Sequence, residues 1–483
     1  MLAIAALLVV AIVILSPKED PEGAIVAGPS EPPSVAPSAG VPTPIVAPTP
    51  ATAVSTVSVT EFGASGDGTT DDTEAVLAAF RATAGQRTAV LFPAGTYRVE
   101  DALLPSNVIL KGEGADRSWI QGRLEVGGGS RVSDLRLGRD GAALRFAPGA
   151  SHVLFRRVTF VGGGGMTSGQ DQGVIRFSGG RSASYIAFED CEIGANSADG
   201  NGVSMVSNGS GNATYHDITW RRCRFGSSPR MSVEVIQRAD DAPITSGYRR
   251  IDLYDCVFEP TGSETVSFDA VGDAGYSTIS GCTFKGSGWN SAEPFGQGIE
   301  FNRVTNMRFV HNTVYRSRDA MINHQGRSGS RTGTVFAHNV FDATRSFIEE
   351  VPSASAQVIY FSNVSGVRFE DNVVKSDVGG QLAYIDESVD NTFLRNKWTD
   401  ARAAGLGHAW LWLTDGSARN VFDTEIIKTG VAGPAVHVRD GSDENVFRDC
   451  TFILPGQSSP SAESAFHVAD GLTVKVLGGS IAR

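Results

Sequence analysis

One short frame, Ile218-x-Trp220-x-x-Cys223-x-Phe225, recurs along the chain and restricts what the chain can fold into. Val153-x-Phe155-x-x-Val158-x-Phe160, Ile186-x-Phe188-x-x-Cys191-x-Ile193 and Ile251-x-Leu253-x-x-Cys256-x-Phe258 repeat it. Shorter copies end on Phe284, Val314, Phe341, Val374, Trp398, Ile427, Phe452 and Ile481, and a weaker one, Val132-x-x-Leu135-x-Leu137, begins the series. The sixth positions of successive copies lie 23 to 33 residues apart. A period of this size marks one supersecondary unit stacked on copies of itself. Within a unit, apolar residues alternate at period 2, which places them on one face of a strand.

Two such strands meeting at a bend, repeated about a dozen times, predict an all-β protein: a right-handed parallel β-helix of roughly 12 coils, with strands about 4.8 Å apart. Uneven spacing then means loops of different length at the same corners. Arg157, Asp190, Arg222 and Asp255 precede the sixth position on successive coils, beside Arg156, Glu189 and Arg221. Stacking sets opposite charges side by side, so these residues are expected to form surface ladders rather than a site. All five cysteines (Cys191, Cys223, Cys256, Cys282 and Cys450) occupy the sixth position, and Asn312, Asn339, Asn372 and Asn396 fill it elsewhere. A buried, stacked structural role is expected for both.

The repeat makes one elongated domain the natural reading of 483 residues. A net charge of −12 argues against a nucleic-acid partner, which calls for a basic stripe. Residues 1–16 are apolar from Leu2 to Leu15, the length of a signal-peptide core and short for a membrane span; they predict export, or an N-terminal membrane anchor. Residues 17–56 are rich in Pro, Ala, Ser and Thr and read as an extended linker. The β-helix domain then covers 57–483.

That domain opens with Phe62-Gly63-Ala64-Ser65-Gly66-Asp67-Gly68-Thr69-Thr70-Asp71-Asp72-Thr73 and, further on, Phe92-Pro93-Ala94-Gly95-Thr96-Tyr97. A strand, a turn and an amphipathic helix from about Asp72 to Thr83 are expected, with Asp71 and Glu74 as a capping-box-like pair. This run resembles the N-terminal signature of the pectate-lyase-like superfamily, which includes polygalacturonase-, rhamnogalacturonase- and epimerase-like proteins. The resemblance implies that the helix caps the first coil. The Asn-Thr-Asp, Gly-His-Gly and Arg-Ile-Lys motifs of polygalacturonase-like members and the Asp-Pro-His motif of mannuronan epimerases are absent, so no catalytic residue carries over.

Each coil needs a third strand, from Leu144–Phe146 to Phe466–Val468, with Ala320–Ile322 among them. Their middle residues should face solvent and read Arg145, Arg176, Ser204, Glu234, Ser267, Glu300, Met321, Tyr360, Tyr384, Trp412, His437 and His467. A second column contains Asp269, Asn302, Asn323 and Asp386. Glu234, Asp269 and Glu300 fall on consecutive coils with no basic residue between them, so they should raise one another's pKa or bind a cation; they are the candidate catalytic groups. Tyr360, Tyr384, Trp410 and Trp412 offer apolar faces with polar handles for sugar rings. Asn302, Asn323, His324, Arg327, Asp386 and His437 complete the candidate substrate contacts, and long loops (162–172, 238–249, 285–297, 324–332 and 342–357) would wall a groove. Lyases of the superfamily use an Arg or Lys base and often calcium, which the resemblance extends to Arg327, Arg331 and a Ca2+ site here. The expected partner is a polysaccharide, cut by a hydrolase or lyase; the alternative is a non-catalytic glycan-binding surface protein. Oligomeric state stays open.

Overall fold

A computed structural model describes residues 55–483, apart from 87, 163–172, 179–181, 196–199, 208–213, 238–247, 270–276, 328–330, 349–356, 379 and 406. The apolar N-terminus, most of the linker and much of the expected groove walls fall outside the described residues. Within them the chain winds as a parallel β-helix. Both runs of the frame join a 30-stranded sheet, and the third strands form a 14-stranded one, from Ala102–Leu104 to Phe466–Val468. Two strands of the second sheet, Ala102–Leu104 and Leu124–Val126, precede the first coil expected from the frame.

The frame's inward positions stack in register: Ile186 on Ile218 on Ile251, and Phe188 on Trp220 on Leu253. Phe188 and Trp220 lie 5.2 Å apart with planes 2° from parallel, and both are fully buried. What separates the two runs is a left-handed residue at the fifth position. Asp134, Arg157, Asp190, Arg222 and Asp255 have φ between 52° and 59°. A non-glycine residue there costs about 1–2 kcal/mol. Arg157 holds Asp134 through Nε (2.6 Å) and Nη2 (3.0 Å), and Arg222 holds Asp190 likewise (2.7 and 3.1 Å). The alternating charges are surface ladders, as expected.

The sixth position faces the core. All five cysteines are free and buried. Asn312, Asn339, Asn372 and Asn396 form a chain in which each Nδ2 donates to the next Oδ1 at 2.9–3.2 Å. Glu425 closes it, accepting from Asn396 through Oε1 at 3.0 Å and from the Trp398 indole at 2.5 Å. Burial pushes the Glu425 carboxyl up to about 8.

The N-terminal helix spans Thr73–Thr83, buries Val76, Ala79 and Phe80, and packs against Thr88–Phe92 and Ala102–Leu104. The expected Asp71–Glu74 capping box does not form. Asp71 accepts from Thr73 N at 3.0 Å, Asp72 turns back to the amides of Ser65 (2.6 Å) and Gly66 (3.2 Å), and the Glu74 carboxylate lies 3.7 Å from Arg81. Backbone amides of the glycine-rich turn are the nearer donors.

Candidate functional site

The second sheet carries the expected column in register with one residue exchanged, but Ser204, Glu234, Ser267 and Asn323 within it are buried rather than facing solvent. In register it runs Arg145, Arg176, Ser204, Glu234, Ser267, Glu300, Asn323, Tyr360, Tyr384, Trp412, His437 and His467. Asn323 takes the place expected for Met321, because the strand is Ile322–Gln325 rather than Ala320–Ile322. Gln325, not Asn323, therefore sits beside Asn302 in the second column. The cause is His324, which faces the core although it is polar. Its Nδ1 lies 3.1 Å from the Phe301 carbonyl and its Nε2 3.1 Å from Thr334 Oγ1. Burial lowers its pKa to about 4, so the ring is neutral at neutral pH. His324 is thus a core residue and does not border the face.

Glu234, Asp269 and Glu300 do lie on three adjacent strands of this sheet, with Asp269 in the second column. Cations reach two of them from outside the strands, contrary to the expectation that none would. Arg230 Nη1 donates to Glu234 Oε1 at 3.0 Å and Asn201 Nδ2 to Oε2 at 2.7 Å. Glu234 is fully buried under these groups and touches no solvent, so its part is to hold the turn at Arg230 rather than to meet a substrate. Arg303 grips Asp269 with Nε (2.8 Å) and Nη2 (2.7 Å).

Glu300 differs. Ser267 Oγ donates to its Oε2 at 2.6 Å. Burial, then the nearby charges of Glu264, Asp269 and Glu234, push its carboxyl up to about 7 despite that bond. Glu264, which the periodicity did not single out, is buried in the turn before the strand Val266–Asp269 and bonds the Ser263 hydroxyl. Burial raises its pKa too. Ser263 also donates to the Phe295 carbonyl at 3.3 Å, which ties the 285–297 loop to this edge. Arg318 pins the same loop through the carbonyls of Asn290 and Glu293, both at 3.0 Å. Trp289 and Phe295 stand exposed on it.

Beyond Asn323 the column becomes a stair of rings. Centroids are 5.7 Å apart from Tyr360 to Tyr384, 6.0 Å to Trp412, 5.3 Å to His437 and 5.4 Å to His467. The Arg439 guanidinium sits 4.3 Å from the Trp412 ring. Trp410 is not part of this stair. It is fully buried, 5.6 Å from both Trp398 and Phe422, because it enters the strand from the inward-facing corner. Asp386 lies beside the stair and accepts from Ser362 Oγ at 3.1 Å; burial raises its pKa, and neighbouring Asp415 adds to the shift. Asn302 follows Glu300 by two residues on the same strand, and Arg327, part-exposed, follows Gln325 by two.

A calcium site does not fit these residues. The Asp269 and Glu234 oxygens are engaged by arginine and amide donors, and no group of three or more His, Cys, Asp or Glu among the described residues is arranged to hold a metal.

The winding and this outward face define a parallel β-helix protein. Residues 56–229 match the model of the family described as rhamnogalacturonase A/epimerase, pectate lyase-like, so the superfamily resemblance holds over the first coils. No curated protein matches the chain. Among solved structures, the mannuronan C-5 epimerase AlgE6 A-module of Azotobacter vinelandii aligns at 14% identity, covering 88% of this chain and 99% of that one, with a TM-score of 0.39. The bacteriophage phi29 gene product 12 N-terminal fragment aligns at 15% (88% and 70% covered, TM-score 0.47), and the Streptococcus pneumoniae surface adhesin PfbA at 13% (89% and 97%, TM-score 0.37). At these levels the likenesses carry no inference about activity.

Proposed function

We infer that this is an exported carbohydrate-active enzyme that binds a polysaccharide along the second sheet and cuts it, as a hydrolase or a lyase, at Glu300. The observation that carries this reading is the unbroken row from Glu300 through Asn323 to the rings of Tyr360, Tyr384 and Trp412. A carboxyl with its pKa near 7 is half-protonated at neutrality and can give its proton to a departing glycosidic oxygen. Rings with polar edges offer sugar faces a surface to stack on. Strands rise about 4.8 Å apart, so the row from Glu300 to Trp412 spans roughly 19 Å, room for several sugars. The family name matched by residues 56–229 supports a carbohydrate partner. The apolar stretch Leu2–Leu15 and the Pro-rich linker support export.

The test is a polysaccharide panel, assayed for new reducing ends and for unsaturated products by ultraviolet absorbance. Glu300→Gln is expected to abolish turnover while preserving binding and the melting temperature. Unchanged turnover in that variant removes Glu300 from the chemistry. A second reading, a glycan-binding surface protein without catalysis, draws on the arginine pairing of Asp269 and Glu234. It predicts binding with no products from the unaltered protein.

A further inference from the structure

Another face of the molecule gathers cations around an indole. On the 30-stranded sheet, Thr96, Trp119 and Arg136 form one outward column, and Arg98 and Gln121 pair in the next. The position that would continue the second column is Gly138, which has φ 105°; a Cβ there would come within 2.0 Å of the Val161 carbonyl oxygen. No side chain can fill that place, and the gap helps to leave a hollow of about 560 Å³ lined by Gly68, Thr69, Arg98, Trp119, Gln121 and Arg139. The size falls within the usual range of small-ligand sites.

The groups around it are set in place. The Trp119 indole donates to the Gly138 carbonyl at 2.8 Å, which fixes the ring, and the Arg136 guanidinium lies 4.2 Å from the ring centroid. Arg98 is braced by the Thr69 carbonyl at 2.7 Å, and Arg139 contacts Asp140 at 3.1 Å. Elsewhere on this sheet outward arginines are clamped by acids on the preceding coil, as Arg157 is by Asp134 and Arg395 by Asp371; Arg98 has Asp71 as its register partner there. The buried Nε of Arg136 has no hydrogen-bond partner among the described residues. Arg98 and Arg139 line the hollow and Arg136 lies over its indole, with Asp71 beside Arg98 in register and Asp140 on Arg139.

We propose that this hollow is a second, non-catalytic binding site for an acidic oligosaccharide. The sugar carboxylates would engage the guanidinium groups of Arg98, Arg136 and Arg139, and a pyranose would pack on the part of the Trp119 ring that Arg136 leaves uncovered. Guanidinium matches a carboxylate with two parallel N–H donors, and an indole offers the flat surface a sugar ring needs. The site lies on a different sheet from Glu300 and the Tyr360–Trp412 stair, so it stands whether or not that face is catalytic.

The test is calorimetric titration of the full chain at low salt with a tetrasaccharide bearing one carboxylate per sugar, and with its neutral methyl ester. The double variant Arg136→Gln/Arg139→Gln and the milder Trp119→Phe are compared with Arg419→Gln, a control on a distant ladder. The double variant should weaken binding at this site at least about tenfold, one decade in Kd. Glu300→Gln and Arg419→Gln should leave the site intact, and Trp119→Phe should weaken it less than the double variant. Unchanged affinity in the double variant overturns the proposal. So does equal binding of the neutral ester. Full competition by inorganic sulfate at the same concentration would make the hollow a free-anion site and overturn the sugar assignment.

Discussion

The Ser267 hydroxyl donates to Glu300 Oε2 at 2.6 Å across two paired strands, and in doing so it opposes the burial that keeps Glu300 protonated. A hydrogen bond to the charged form lowers a carboxyl pKa, whereas desolvation and like charges raise it. Here the second pair of effects wins, and the group titrates near neutrality.

Ser267→Ala should therefore raise the Glu300 pKa further. If Glu300 acts as a general acid, kcat falls as pH rises through about 7, and in Ser267→Ala that limb moves to higher pH. A pH–rate profile on any responsive polysaccharide reads this. A limb that stays in place in the variant would show that some other group titrates.

Asp269→Asn should act in the opposite sense. The Asp269 charge is among the groups that raise Glu300, so the amide should lower the Glu300 pKa and move the limb to lower pH. Arg303→Met, by contrast, leaves Asp269 without its two-pronged donor. Hydrogen bonds to charged groups contribute about 1.5–3 kcal/mol, so this variant should lose stability of that order in urea unfolding. A loss of activity without a loss of stability would mean that Arg303 meets the substrate.

Stability should fall between pH 6.5 and 8. Asp252, buried on the strand Tyr248–Tyr254, and Glu300 titrate at about 7 and Glu425 at about 8 in the folded chain, all raised by burial above their unfolded values. The folded state then binds more protons than the unfolded one, so their contribution is full below the unfolded pKa and lost as pH rises through the folded one. The buried His324, lowered to about 4, acts only as pH drops below its unfolded value of 6.5. Glu425→Gln keeps an acceptor for Asn396 and loses the one for the Trp398 indole, so its melting temperature should start lower at pH 5 and decline less toward pH 8. An identical decline in both proteins would remove Glu425 as a source.

The winding was legible because every coil repeats the same demand. An apolar pair, a bend and a sixth residue fit to stack recur often enough that loops of unequal length do not hide the register. Tyr360, Tyr384, Trp412 and His437 were legible for the same reason, since each lies midway between two inward apolar residues. The pattern failed where a core position was polar. His324 satisfies both ring nitrogens inside the core, and that misplaced the outward position by two residues, at Met321 instead of Asn323. It failed also where side chains reach in from turns. Arg230, Glu264 and Arg303 come from corners of unequal length, and no periodicity dictates where such residues point.

Trp410 and Trp412 put that distinction to a direct test. They are two residues apart, yet one is fully buried against Trp398 and Phe422 and the other stands in the outward stair between Tyr384 and His437. Trp410→Ala should open a core cavity and cost about 3–5 kcal/mol, enough to lower the melting temperature sharply. Trp412→Ala removes a ring packed only along one face of the sheet and should cost much less. If the stair holds sugars, Trp412→Ala should instead weaken oligosaccharide binding by about tenfold, with Tyr384→Ala close behind. Thermal melts and a binding titration on the two tryptophan variants separate the cases. Binding loss from Trp410→Ala without destabilisation, or unaltered binding in Trp412→Ala, would move the sugar contacts off this column.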